Sequence, residues 1–314
     1  MKLFNKRRRS RIIGLAVGLM ALSLVVTACG GTGGEGEAGG QDGGAAADRT
    51  ITIGDIGWEE DVVVNALWKH ILEERGYDVE VTTLGANAIY QGLAQDDLDL
   101  FLDAWLPNTH ADKMDRFGNS LVKVSPWYQD ATLTWTVPAY VGDVNSIADL
   151  QGKATMFDGR ITGIEPSAGL SDISETEVIP QYNLGDSYDL KTSSTAAMVG
   201  ALDRAIARQE PIVVTLWHPH IAYTRYDLKD LQDPRGALGG GEELWTLSRQ
   251  GFAQDYPEIN RWLKNFTLTQ EQVNELEDLV YNKFGGPDKA DAAIDQWAGE
   301  NQDLINKWAG AASG

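Results

Sequence analysis

The sequence predicts an α/β fold in two lobes joined by a hinge. Three observations predict it. Strand-like and helix-like segments alternate from residue 50 to 104. A long β-rich run at 131–140 follows, with a second α/β unit behind it. A return strand at 243–249 then leads into a helical tail.

The elements follow in chain order. Residues 50–56 (TITIGDI) are β-rich and nearly alternating. Residues 61–75 (DVVVNALWKHILEER) have helical spacing and stop at Gly76, a C-cap signal. Residues 78–83 read as a second strand, 87–95 as a helix and 98–104 (LDLFLDA) as a third strand. This alternation argues for a parallel sheet with helices on its faces. The run 131–140 (ATLTWTVPAY) is long enough to cross between lobes. Beyond it come a short helix at 146–150, a strand at 159–164 and a helix at 171–181. An amphipathic helix at 194–209 and a buried strand at 211–216 (PIVVTL) complete this unit. Gly239–Gly241 reads as a turn before the return strand. Residues 256–309 are helical in at least three pieces, one opened by Thr269 with Glu271 and Gln272. The first lobe is expected over 49–137 plus 245–314 and the second over 138–244. The hinge is expected near 134–141 and 245–249.

The N-terminal residues stand apart. Residues 1–11 carry Lys2, Lys6, Arg7, Arg8, Arg9 and Arg11 without an acid, and 12–26 are mainly apolar and small. This is the pattern of a signal peptide, expected over 1–28. The sequence Val26-Thr27-Ala28-Cys29-Gly30 looks like a bacterial lipobox, in which the Cys is diacylated. Cys29 is the sole cysteine, so no disulfide framework is possible. Two acyl chains would give stable attachment to the outer face of the cell membrane. Residues 29–48 continue as a Gly-rich polar tether that buries too little apolar surface to order itself.

Charge narrows the partners. The chain holds 26 basic and 46 acidic residues; without residues 1–28 the basic count falls to 20, a formal charge of −26. Such a surface excludes nucleic acid as a partner. It reads as a solvated acidic surface, with any attraction of cations screened at physiological salt.

Three of the ten tryptophans share one kind of position. Trp58, Trp105 and Trp217 each stand at the carboxyl end of an expected strand, where α/β sheets open their ligand clefts. A cation without N–H donors cannot be held by ordinary hydrogen bonds. Aromatic faces can hold it, at about 0.5 to 2 kcal/mol per contact. Three facing indoles would suit a trimethylammonium head. Taken singly, each Trp also reads as core. Packing is the expectation for Trp68, Trp245, Trp262, Trp297 and Trp308, and packing or the hinge for Trp127 and Trp135.

Four strings sharpen this reading: Ile56-Gly57-Trp58-Glu59, the AWLPNTH of 104–110, the GIEPSAGL of 163–170 and the TLWHPH of 215–220. Together, over about residues 50–310, they resemble the glycine betaine-binding proteins of ABC osmoprotectant importers. The resemblance implies a periplasmic-binding-protein-like fold of the second type, with ligand in the cleft between lobes and no catalytic step. It implies that Trp58, Trp105 and Trp217 cage the ammonium. It implies that His110 and the backbone N–H groups of Gly169 and Leu170 bind the carboxylate. Helix N-termini present unpaired N–H groups to anions, and Gly allows close approach, so the chemistry agrees. The implied partners are a membrane permease and its ATPase, with no cofactor or metal.

Two departures and several rivals accompany the resemblance. Ile221 stands where related proteins carry a further aromatic. Asp103, two residues before Trp105, reads as a solvated or salt-bridged acid; beside the cage it would favour choline instead. Carnitine and proline betaine are alternative ligands. A secreted metal-dependent enzyme using His218 and His220 is a rival of another class. Gly239–Gly241 lacks the helix and Lys of a phosphate loop, and no GxSxG arrangement occurs.

Overall fold

The computed structural model describes residues 50–310. The expected signal peptide, Cys29 and the whole tether lie outside the described residues. Among the described residues, no helix is long and apolar enough to cross a membrane.

Among the described residues nine strands build the fold: β1 (Thr50–Asp55), β2 (Asp78–Thr83), β3 (Leu100–Leu106), β4 (Leu121–Pro138), β5 (Arg160–Thr162), β6 (Asp189–Lys191), β7 (Val214–His218), β8 (Leu228–Asp230) and β9 (Glu242–Arg249). Their order is β2-β1-β3-β9-β4-β7-β5-β6, with β8 also on β4. β1 runs parallel to β2 and β3, as the early alternation requires. β9 enters antiparallel between β3 and β4. β3 is buried along its whole length, Asp103 included, and is otherwise apolar. β2 is an exposed, charged edge.

One strand serves both halves. From Leu121 to Ala131, β4 pairs with β9; from Thr132 to Pro138 it pairs with β7 and β8. Three register shifts interrupt the β9 pairing, and Asp130 at the changeover has φ 67. Bulges of this kind bend and twist a strand. Residues 121–130, to which periodicity assigns no element, form the first half of β4. The short strands β6 and β8 are likewise without a pattern of their own, because three residues carry no period. Residues 245–249, expected near the hinge, pair inside the first sheet.

Local signals placed the helices well. Helix α1 (Glu59–Glu73) is followed by Gly76 at φ 78. Helix α2 spans Ala86–Ala94 and α3 spans Ala111–Phe117. Helix α4 (Gly169–Ile173) continues through a π turn to Gln181. Ser194 caps Thr195–Arg208, and Thr269 and Gln272 form a capping box on Gln270–Glu277. The tail helices return to the first sheet, where Phe266 packs edge-on against Trp68 (5.3 Å) and Trp308 (4.9 Å). Trp127 and Trp135 are also core: their indole N–H groups donate to the Leu102 carbonyl and to Ser174 Oγ (3.0 Å).

Candidate ligand site

The site begins with a turn. β1 ends at Asp55, and Gly57 takes φ 85 before α1 starts. Asp55 accepts from Gly57 N–H (3.2 Å) and Thr83 Oγ1 (2.6 Å), while Asp61 accepts from Ile56 N–H (2.6 Å). Asn65 donates to Asp61 (2.8 Å). These bonds hold Trp58, the residue before α1, over the strand end.

A second turn holds Trp105 and His110 to one another. His110 N–H donates to the Trp105 carbonyl (3.0 Å), and Trp105 N–H donates to His110 Nδ1 (3.1 Å). Tyr90 Oη lies 3.1 Å from the same Nδ1. Because Nδ1 accepts a backbone N–H, the proton of the neutral ring belongs on Nε2. Burial, with Lys113 adding to it, holds the His110 pKa down at about 3, so the ring is neutral. Its Nε2 is buried and has no hydrogen-bond partner among the described residues. His110 is therefore a fully buried donor with nothing to donate to.

Trp217 arrives from β7, on the other side of the changeover in β4. Its ring centroid lies 5.8 Å from that of Trp58, at 49°. Trp58 in turn stacks on His110 at 6.1 Å and 23°. Trp58, Trp105 and Trp217 are 4%, 1% and 2% exposed. Together with Thr109, Leu133, Ile164 and Leu170 they line a small apolar cavity. No charged side chain lines it. The sequence-predicted Trp58, Trp105, Trp217 and Leu170 thus surround one cavity, and His110 stacks on its wall.

Gly169 sits where the two sides touch. A Cβ at this position would meet the Thr109 carbonyl oxygen at 2.2 Å and Thr109 Cγ2 at 2.6 Å. Only glycine fits the contact. Among the described residues, the backbone N–H groups of Gly169 and Leu170, in the first turn of α4, make no hydrogen bond.

Behind the cage lies a belt of buried acids. Glu60, Asp61, Asp103 and Glu277 are each 0% exposed. Among the described residues, both carboxyl oxygens of Glu60, Asp103 and Glu277 lack a hydrogen-bond partner. Burial, reinforced by Glu277, pushes Glu60 well above the carboxylate range. Burial does the same to Asp103, with Glu60 adding to it, and to Glu277, with Glu59 adding to it. The indole N–H groups of Trp217 and Trp105 lie near enough to Glu60 and Asp103 to oppose that rise, without reaching hydrogen-bond geometry. Glu59 differs. Burial raises it, but His220, 3.3 Å away, and Arg225 bring it below its ordinary value.

Asp103 therefore corrects its expected role. It is neither solvated nor salt-bridged, and it does not line the cavity. Packing on both faces of β3 leaves it no route to water. The two histidines of the HPH string also part company. His218 pairs with Asp230 at 2.7 Å, whereas His220 faces Glu59. Among the described residues, no group of three or more His, Cys, Asp or Glu could hold a metal. The sequence reading missed Glu242, which accepts from the backbone of Asn108 and Thr109 (2.5 and 2.8 Å). An isolated acid at the start of a strand carries no pattern that would reveal this.

Two strand groups sharing β4, with an aromatic cavity between them, define a two-lobed solute-binding protein. The comparisons supply the family. The model of the substrate-binding domain of the ABC-type glycine betaine transport system matches residues 49–300, and the chain belongs to that family. Its members are solute-binding proteins of ABC transporters, not enzymes. The glycine betaine/carnitine transport binding protein of Listeria monocytogenes is 39% identical over 149 residues, 47% of this chain and 48% of that protein. The chain thus aligns with about half the length of that relative. Lactococcal OpuAC, solved closed with glycine betaine, is 33% identical with TM-score 0.75, over 83% of this chain and 100% of that one. The glycine betaine/L-proline-binding protein of Borrelia burgdorferi is 28% identical with TM-score 0.78, over 83% and 96%. An ABC-transporter choline-binding protein with bound choline is 26% identical with TM-score 0.74, over 83% and 91%.

Proposed function

We propose that this chain captures glycine betaine, or a close quaternary ammonium relative, for an ABC importer. The observation that carries the reading is the cavity itself. Three indoles, from β3, from β7 and from the turn after β1, line it, and no charged group does. A trimethylammonium ion offers no hydrogen to donate, so aromatic faces in a desolvated space are its natural partners. The carboxylate would reach the buried Nε2–H of His110 and the N–H groups of Gly169 and Leu170. Choline has no carboxylate for those donors, and Asp103 does not reach the cavity, so glycine betaine fits better.

Ligand would bind one lobe, and the other would close over it and exclude water. The lobe limits of 49–137 plus 245–314 and 138–244 belong to this proposal. The strand pairings support crossings near 130–132 and just before Glu242. Signal-peptide removal and acylation of Cys29 would hold the protein at the outer membrane face, beside its permease and ATPase. Calorimetric titration of residues 30–314 with glycine betaine, then choline, tests the reading. Micromolar or tighter glycine betaine binding with weak choline binding is expected. Binding of neither would remove the ligand assignment.

A further inference from the structure

We infer that Glu242 is a positioning residue that ties the return crossing to the carboxylate end of the ligand site. The inference rests on the ligand reading above. Glu242 is the first residue of β9 and is buried, and it pairs with Ala131 where β4 changes partners. It therefore sits at both crossings. Its Oε1 accepts from Asn108 N–H at 2.5 Å and from Thr109 N–H at 2.8 Å. Its Oε2 accepts from the Thr109 hydroxyl. No ion pair among the described residues engages it, so these three donors hold it.

What Glu242 holds is the hub of the site. Thr109 lines the cavity, and its carbonyl oxygen lies against Gly169. His110 is the next residue, with its donor already fixed by Trp105. Gly239, in the turn before β9, also packs on the Asn108 side chain, since a Cβ there would meet Nδ2 at 3.4 Å. Movement of the crossing thus reaches the loop 107–110 through two contacts. Charge-assisted bonds are about twice as strong as neutral ones, and a carboxylate gripping two adjacent N–H groups fixes loop orientation.

The test uses Glu242→Gln, which keeps size and one acceptor while removing the charge. Affinity for glycine betaine and for a carboxylate-free probe, tetramethylammonium, is measured with thermal stability and hydrogen exchange over 104–110. The expected result is an approximately tenfold loss for glycine betaine and less than about threefold for tetramethylammonium. Exchange should quicken in that loop alone. Equal losses for both probes with globally faster exchange would make Glu242 merely structural. Unchanged binding and unchanged exchange would also overturn the inference. A parent chain that binds neither probe would overturn the ligand reading and this inference with it.

Discussion

The indole cavity and the buried acids of β3, α1 and the helix Gln270–Glu277 are neighbours, yet they are chemically opposite. The cavity is walled by indoles and aliphatic groups, with no charge on its surface. The belt packs Glu60, Asp103 and Glu277 out of water with no hydrogen bond or ion pair. An isolated buried carboxylate is too costly to keep, so such a group takes up a proton instead. Burial thus favours the protonated form of these three carboxyls.

The largest effect should come from closing the contact between the two sides. Gly169→Ala places a methyl against the Thr109 carbonyl and should weaken glycine betaine binding about ten- to a hundredfold, because overpacking costs about 1 to 3 kcal/mol. Calorimetry would show it; unchanged affinity would mean that the ligand-bound form is more open here. Trp105→Ala or Trp217→Ala should cost about tenfold or more, one cation–π contact with its desolvation. His110→Ala should weaken glycine betaine more than choline. Equal losses would remove the carboxylate role from His110.

The belt is tested by pH. Glu60 binds its proton more tightly folded than unfolded, so the native state holds more protons above the ordinary carboxylate range. Stability contributed by this group is present at low pH and falls as pH rises toward the raised value. The ceiling is about 1.4 kcal/mol per pH unit for one group. Glu60→Gln should therefore flatten the alkaline side of the stability curve measured by denaturant unfolding. An unaltered slope would mean that water reaches Glu60. The smallest effect on affinity should come from Trp262→Ala, far from the cage, which should lower stability by about 3 kcal/mol and leave binding alone.

Much of this was legible in residue patterns, and particular residues show why. Trp58, Trp105 and Trp217 could be singled out because each stands at or just past the carboxyl end of a strand, and strand ends are where such sheets open. Ser194 and Thr269 announced their helices through local hydrogen bonding. Asp103 and Glu242 could not be judged in the same way. Asp103 alternates with apolar residues like any half-exposed strand acid, and only packing on both sides of β3 buries it. Glu242 serves a loop more than a hundred residues earlier in the chain.

By itself, then, the sequence determined most of the elements and their α/β order, because periodicity and capping are local. Only the tertiary structure decided that three distant indoles share one cavity, that Gly169 must touch Thr109 and that four acids lie dry behind them. Those facts depend on which strand lies beside which, and neighbours in space are set by the packing of the whole chain.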